Sequence, residues 1–232
     1  MSAVATLLDA SALTKTYRRA AEDVHALAGA SLHVASGELI TLIGPSGSGK
    51  TTLLSMLAGW DRPDGGEIAW LGAPLPHPER LTWRDVAVVP QTLGLLEELS
   101  IRENVELPLR LGGVGDGKVH AGQLLETLGL TALADRLPDE ISLGEQQRAA
   151  VARALVLEPR LLIADEPTGH QDAGWTRGVL DVLRAFASAG GACLVATHHK
   201  AFVRFADRVL AIEDGRVRQV AAEEAVGSGE EL

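Results

Sequence analysis

The strongest chemical signal in the chain is a glycine-rich stretch between an apolar run and a helical pattern. Glycines let successive backbone N–H groups converge on phosphate oxygens, and a following helix adds the positive end of its dipole. Lys50 can reach the β- and γ-phosphates, and Thr51 offers a hydroxyl to Mg²⁺. An ordinary turn before a helix is the alternative, but the complete pattern favours a site for a nucleoside triphosphate. The stretch comprises Gly44, Pro45, Ser46, Gly47, Ser48, Gly49, Lys50, Thr51 and Thr52.

Two acidic residues follow another apolar run, 161–164. In open α/β sheets ligands bind beyond the carboxyl ends of the strands, so we expect Asp165 and Glu166 beside the glycine-rich loop. Asp165 is predicted to hold Mg²⁺ through its waters, and Glu166 to orient and polarise the attacking water. A chance pair of surface acids is the alternative, which the position at the end of a buried strand disfavours.

Two further polar residues follow predicted strands. His198 ends the strand 192–197 and is expected to reach the γ-phosphate, although a lone histidine is more often structural. Gln91 follows the strand 86–89 and is expected to bridge Mg²⁺ or the attacking water. Its alternative interpretation is an ordinary loop glutamine. These residues predict ATP and Mg²⁺ as the bound groups.

Composition narrows the classes of function. The chain has 232 residues, 46% of them hydrophobic, and a formal net charge of −10. That charge argues against a general nucleic-acid surface. A single cysteine, Cys193, excludes a disulfide scaffold, and its apolar neighbours indicate a buried strand thiol. Because no apolar run is long enough to span a bilayer, we expect a cytoplasmic protein whose membrane-spanning partner, if any, is another polypeptide.

Alternating strand and helix patterns predict an α/β fold with a mostly parallel, covered sheet. We expect one domain, with a core of residues 1–90 and 159–220, a helical subdomain at 91–158 and an acidic, frayed tail at 221–232. The expected class is a P-loop NTPase with a RecA-like sheet, an antiparallel β edge and an inserted α-helical subdomain.

Turn and capping patterns predict several element boundaries. Residues 18–23 are expected to form a polar loop. Ser100 and Glu103 have capping-box spacing, and the helix they open is expected to end near Leu107, before Pro108. The same spacing at 142–145 predicts the start of a second helix.

Taken together, these residues resemble the nucleotide-binding subunits of ABC transporters over essentially the whole chain. Segments such as 59–63 and 102–109 are similar to the lipoprotein-releasing and macrolide-exporting group. The resemblance implies that Tyr17 stacks on adenine. The matching motifs are the loop at 44–52, Gln91 in the glutamine loop, 141–148 as the signature motif, 161–166 as the Walker B strand, Asp172 in the D-loop and His198 as the switch histidine.

The resemblance also implies partners. Two such domains pair head to tail, most simply as a homodimer, with ATP between the loop of one and the signature of the other. The implied signature residues are Ser142, Leu143, Gly144 and Glu145. A capped helix start binds anions, although these residues also fit a helix cap with no further role. The usual signature has glycine in place of Leu143, where left-handed backbone geometry would be costly.

The expected function is an ATP-hydrolysing subunit that drives a separate integral membrane permease, at the inner face of the cell membrane. An ATP-dependent regulatory switch on a membrane protein, without net transport, is the alternative. A chromosome-maintenance ATPase, a tandem translation factor and a small-molecule kinase fit less well, and no nucleic-acid partner is expected. The apolar stretch 93–99 is predicted either to line a groove for the membrane subunit or to pack internally.

Overall fold

The computed structural model describes residues 5–19, 22–75, 77, 80–112, 117–169 and 173–227. Its strands are β1 (Thr6–Arg19), β2 (Glu22–Ala35), β3 (Leu39–Ile43), β4 (Gly65–Trp70), β5 (Ala73–Pro74), β6 (Val86–Val89), β7 (Leu161–Asp165), β8 (Ala192–Ala196), β9 (Arg208–Glu213) and β10 (Arg216–Val220). Its α-helices are α1 (Lys50–Leu57), α2 (Ile101–Leu111), α3 (Lys118–Thr127), α4 (Leu143–Leu155), α5 (Ala173–Ser188), α6 (Lys200–Phe205) and α7 (Ala222–Gly227).

The central sheet has the strand order β10-β9-β3-β8-β7-β6. All of its pairings are parallel except that of β10 with β9. Strands β7 and β8 are buried along their whole length, because both faces of the sheet are covered. Leu42 pairs with Ala196, which pairs with Asp165, so β3, β8 and β7 end level with one another. The predicted α/β class with a mostly parallel sheet is confirmed.

A second, antiparallel sheet has the order β2-β1-β4-β5. Its first two strands form a hairpin longer than expected, because Tyr17 pairs with Val24 and Arg18 with Asp23. The prediction of a polar loop over residues 18–23 is therefore wrong. Pairing between the two strands satisfies the backbone N–H and C=O groups there, although few of the side chains are apolar.

Within the described residues, the segment between β6 and β7 contains helices and no strand. Ser100 caps α2 with the predicted capping box. The expected end of this helix at Leu107 is wrong, because the helix continues through Pro108 to Leu111. Pro108 and Leu109 are buried, so packing outweighs the hydrogen bond that proline cannot donate.

Helix α4 lies inside the helical segment and is buried on most of its surface. The Arg148 guanidinium donates from Nε to the Leu128 carbonyl at 2.9 Å and lies 3.7 Å from the centre of the Trp175 ring. Since Trp175 belongs to α5, this stack connects α4 to the helix that covers the central sheet.

The start of the acidic tail is helical over residues 222–227, so the prediction of a frayed tail is wrong for those residues. Ala225 of α7 packs against a small cluster that contains Val203, Val209 and Val220. Arg218 pairs with Glu224 at 2.8 Å. Cys193 is buried in β8, as predicted. Among the described residues, no helix is both long and apolar enough to cross a membrane.

Candidate active site

The glycine-rich loop joins β3 to α1 and lies against the β1–β2 hairpin. Gly49 has φ 103° and is the N-cap of α1. A β-carbon there would collide with the Ala26 carbonyl oxygen, and one on Gly44 would collide with the Ile212 carbonyl oxygen. Glycine is therefore required at both positions. At Gly49 both the positive φ and the close contact require it, and at Gly44 the close contact alone does.

Polar groups of the loop suit an anionic ligand. The Lys50 ammonium donates to the carbonyl oxygens of Gly44 at 2.6 Å and Pro45 at 3.0 Å, so its charge lies across the mouth of the loop. The buried Ser48 hydroxyl has no hydrogen-bond partner among the described residues. A buried hydroxyl without a partner is costly, and a phosphate oxygen would supply an acceptor.

A direct hydrogen bond connects the loop to the end of β7. Thr51 Oγ1 donates to Asp165 Oδ2 at 2.8 Å. Burial raises the pKa of Asp165 above its ordinary 3.8, and the hydrogen bond from Thr51 opposes that rise. A hydroxyl beside a buried carboxylate is the kind of oxygen pair that Mg²⁺ binds together with substrate phosphates, so the residues fit that ion.

The next residue, Glu166, is held in an unusual conformation. Its φ of 52° lies in the left-handed region, which costs about 1–2 kcal/mol for a non-glycine residue. Its Oε2 accepts from the Thr197 hydroxyl at 3.0 Å, and its Oε1 lies 2.9 Å from His198 Nδ1. The His198 side chain is 78% exposed. The structure thus brings Glu166 and His198 together, with His198 open to solvent.

Tyr17 lies on the hairpin with its phenol tied to the loop after α1. Its hydroxyl donates to Asp61 Oδ2 at 2.6 Å, and Lys15 Nζ donates to Asp61 Oδ1 at 2.8 Å. Burial and the bond to Asp61 raise the pKa of Tyr17 above its ordinary value.

The start of α4 has the predicted capping box. The Ser142 hydroxyl and backbone N–H both donate to Glu145 Oε2 at 2.8 Å. Leu143 is 43% exposed and lies in the first turn of a right-handed helix. The concern that Leu143 would need left-handed geometry is therefore wrong, because its backbone conformation is available to any residue. Gly144 is buried behind it.

Among the described residues, one predicted site residue, Gln91, is not brought to the Thr51–Asp165 pair. Gln91 is exposed in the loop after β6, and among the described hydrogen bonds none joins it to Thr51 or Asp165. It lines a cavity of about 330 Å³ together with Leu143. Asp172 lies outside the described residues.

Two residues that contact the predicted site residues, Thr197 and Asp61, carry no motif of their own in the sequence. Thr197 was predicted only as the end of a strand, and the sole signal was its position before His198. Asp61 falls in a turn-rich stretch, where aspartate is common for local reasons. Its contacts with Lys15 and Tyr17 join residues far apart in the sequence, so they are visible only in the folded chain.

Comparison with known proteins identifies the chain's family. Residues 27–169 match the family model described as ABC transporter. The chain is 39% identical over 216 residues to the lipoprotein-releasing system ATP-binding protein LolD of Paramagnetospirillum magneticum, covering 90% of this chain and 96% of the relative. It is also 39% identical to the macrolide export ATP-binding/permease protein MacB of Syntrophobacter fumaroxidans. That alignment covers 90% of this chain and 31% of the relative.

Solved structures agree with this assignment. The dimeric ATP-binding cassette MJ0796, in a post-hydrolysis state bound to ADP and Pi, superimposes with a TM-score of 0.84 and 29% identity, covering 93% of this chain and 99% of that one. A second dimeric structure of MJ0796, described as a bacterial ABC transporter cassette, gives 0.86 and 30%, with the same coverage. The chain therefore belongs to the ABC transporter family, as an ATP-binding, ATP-hydrolysing subunit.

Proposed function

We propose that the chain binds Mg-ATP on the loop 44–52, closes on a second ATPase subunit around that nucleotide, and drives a separate membrane permease. The observation that carries the proposal is the contact of Thr51 with Asp165 at 2.8 Å, with Glu166 as the next residue. This contact supports the proposal because it connects the loop to Asp165, the proposed metal-binding carboxylate, next to Glu166, the proposed hydrolytic carboxylate.

Each residue has a distinct role in the proposed reaction. The loop N–H groups and Lys50 hold the phosphates. Thr51 and Asp165 would hold Mg²⁺, which when bound neutralises charge on the phosphate oxygens. Glu166 accepts a proton from the attacking water, and Thr197 and His198 hold its carboxylate in place. With Nδ1 engaged by Glu166, His198 has Nε2 left to approach the γ-phosphate.

The second subunit is proposed to complete the site with its own α4. Ser142 and Leu143 lie at an exposed helix start, where free N–H groups and the dipole favour an anion. Related cassettes are described as dimeric. We propose a homodimer in which Ser142, Leu143, Gly144 and Glu145 of each copy face the nucleotide of the other. Gln91 and Asp172 are proposed to act at this closing interface, as the resemblance implies.

A groove beside the helical segment is the proposed permease site. It has a volume of about 610 Å³, and its walls include Trp60, Trp83 and Leu96. The two tryptophan side chains are 62% and 49% exposed. Large exposed apolar groups in one concave site are typical of interaction surfaces. Of the predicted apolar stretch, Leu93 packs internally and Leu96 lines the groove. Binding there places the subunit at the inner face of the cell membrane.

The decisive experiment uses Glu166→Gln. We expect this variant to bind Mg-ATP, to lose at least about 100-fold in hydrolysis rate because the general base is removed, and to elute as a dimer in size-exclusion chromatography. Lys50→Ala should lose nucleotide binding and remain monomeric. The matched control is Glu67→Gln, which changes an exposed carboxylate on β4 and should behave as the wild type.

Two results would contradict the proposal. Normal hydrolysis by Glu166→Gln would remove Glu166 from its role. A Glu166→Gln protein that binds Mg-ATP and stays monomeric at excess nucleotide would overturn closure around ATP.

A further inference from the structure

A carboxylate beyond the hydrolytic residues holds three donors at the end of the hairpin. Asp61 accepts from Lys15 Nζ at 2.8 Å, from the Tyr17 hydroxyl at 2.6 Å and from the Arg62 backbone N–H at 2.7 Å. Lys15 also donates to the Arg62 carbonyl at 2.6 Å, and its side chain is only 12% exposed. The ammonium lies 5.4 Å from the centre of the Tyr17 ring. Charge-assisted bonds of this length are among the stronger ones in proteins.

This cluster supports a part of β1 that does not pair with β4. Pairing of β1 with β4 ends at Thr14 and Gly65. Beyond that point, β1 is held by β2 and by the loop after α1, where Asp64 accepts from the Thr16 backbone N–H at 2.7 Å. The hydrogen bond from the Tyr17 hydroxyl to Asp61 therefore connects this part of the hairpin to the loop after α1.

Tyr17 lies on the hairpin that packs against the phosphate loop. The carbonyl oxygen of Ala26 of β2 lies against Gly49, and Tyr17 pairs with Val24, two residues before Ala26. Tyr17 is half-buried and is the sole tyrosine in the chain. An aromatic ring near the phosphate loop offers a stacking surface for the base of a nucleotide. Every nucleotide base has a π-face that can stack on an aromatic side chain.

We propose that Asp61 is a positioning residue for base binding: by holding the Tyr17 hydroxyl and Lys15 together, it fixes the ring as a rigid platform next to the phosphate loop. Because the ring is held before the nucleotide arrives, less conformational freedom is lost on binding. The inference rests on the proposed nucleotide site, and it assigns to Asp61 an effect on the base and none on the phosphates.

The test compares two ligands that share their phosphates, ADP and inorganic pyrophosphate, by calorimetry on the full chain with Mg²⁺. Asp61→Ala should weaken ADP binding about 5- to 10-fold, part of the contribution of a stacked base, and change pyrophosphate affinity less than about twofold. Tyr17→Phe keeps the aromatic ring and removes its hydrogen bond to Asp61. The effects of Tyr17→Phe and Asp61→Ala on ADP affinity should be non-additive in the double variant, because both remove the same hydrogen bond.

Asp64→Ala is the matched control, since it removes a carboxylate bonded to the same hairpin that does not contact Tyr17. We expect it to lower the melting temperature and to keep the wild-type ratio of ADP to pyrophosphate affinity. A proportional loss of both ligands in Asp61→Ala, or no change in ADP affinity, would overturn the proposal. Wild-type protein that binds pyrophosphate as tightly as ADP would overturn the base platform alone. Wild-type protein that binds neither ligand would overturn the nucleotide site itself.

Discussion

The residue proposed to activate water has a strained backbone. Glu166 has a positive φ of 52° directly after a buried strand. Its backbone N–H donates to the Ala196 carbonyl at 2.8 Å, and its carboxylate is bonded by Thr197. Strained residues persist where their surroundings over-determine them, and they concentrate at functional sites. The neighbouring strand β8 therefore sets where the Glu166 carboxylate points.

This arrangement predicts that Thr197→Val slows hydrolysis. Valine has a similar shape but removes the hydroxyl that holds Glu166 Oε2, and a hydrogen bond to a charged group contributes about 1.5–3 kcal/mol. We expect the turnover number to fall by at least about tenfold, with ATP affinity little changed. Thr197→Ser keeps the hydroxyl and should restore most of the rate. Equal rates for the valine and serine variants would show that the hydrogen bond has no part in catalysis.

Alanine substitutions at two glycines of the phosphate loop distinguish the cost of backbone strain from the cost of steric contact. Gly47 and Gly49 both have positive φ, at 80° and 103°. A β-carbon on Gly47 meets no atom within 4 Å, whereas one on Gly49 collides with the Ala26 carbonyl. We predict that Gly47→Ala costs about 1–2 kcal/mol of unfolding free energy, the cost of left-handed geometry. Gly49→Ala should cost at least about 3 kcal/mol, because the hairpin must also move.

Urea denaturation of the two alanine variants measures this difference. Gly122→Ala is a useful third variant, because Gly122 lies within α3 with no atom near its absent side chain. Alanine there should stabilise the protein by up to about 1 kcal/mol. Equal destabilisation at positions 47 and 49 would exclude the Ala26 contact as a constraint on the loop.

At the scale of elements, apolar runs and capping patterns were sufficient to predict most of the fold. Strands β3, β7 and β8 are continuous apolar runs, and parallel pairing brings their carboxyl ends together, which is why Asp165 could be assigned to the site. Local patterns failed where distant packing decides. Helix α2 passes Pro108 because Leu109 is buried, and the contacts of Asp61 with Lys15 and Tyr17 join residues far apart in the sequence.

The capping box of α4 predicts a dependence of stability on pH. Hydrogen bonds from the Ser142 side chain and backbone hold the pKa of Glu145 below its ordinary 4.5. A lowered folded-state pKa adds stability that is present above the unfolded value and is lost as pH falls through the folded value. Glu145→Gln should therefore lower the unfolding free energy by about 0.5 kcal/mol at pH 7 and cost less as the pH falls below the ordinary glutamate pKa, for instance at about pH 3. Denaturant titrations at both pH values measure the change in unfolding free energy, with Glu67→Gln as the control. An equal loss of stability at both pH values would show that the charge of Glu145 does not contribute to the cap.

The exposed Leu143 predicts a second effect at the same helix start. Leu143→Gly removes apolar bulk where the partner's phosphate is proposed to bind, and it keeps the backbone N–H. We expect ATP-dependent dimerisation to persist and the ATPase rate to be unchanged or higher. Val119→Gly places glycine in the first turn of α3, at another exposed apolar residue, and controls for lost helix propensity. A large fall in turnover for Leu143→Gly alone would refute the prediction.

At the scale of the whole molecule, the helical segment connects the proposed contact with the partner's nucleotide to the proposed permease groove. Arg153 of α4 donates to the carbonyl oxygens of Leu93 and Gly94, both at 2.6 Å. Gly94 and Arg153 also line the groove. Since the first turn of α4 is the proposed contact with the partner's nucleotide, a movement of α4 displaces the groove wall. One buried helix can thus transmit closure of the dimer to a membrane subunit.

This connection predicts that the groove can be disabled without damage to the ATPase. Trp83→Ala removes an exposed aromatic anchor, and such anchors commonly contribute 2 kcal/mol or more to binding, or about 30-fold in affinity. We expect Trp83→Ala to lose co-purification with the detergent-solubilised membrane subunit while the isolated subunit keeps its rate of ATP hydrolysis. Leu111→Ala, an exposed apolar residue of α2 that does not line the groove, is the control. A Trp83→Ala protein that retains full affinity for the membrane subunit would place the permease elsewhere, and the link through Arg153 would then have no partner to move.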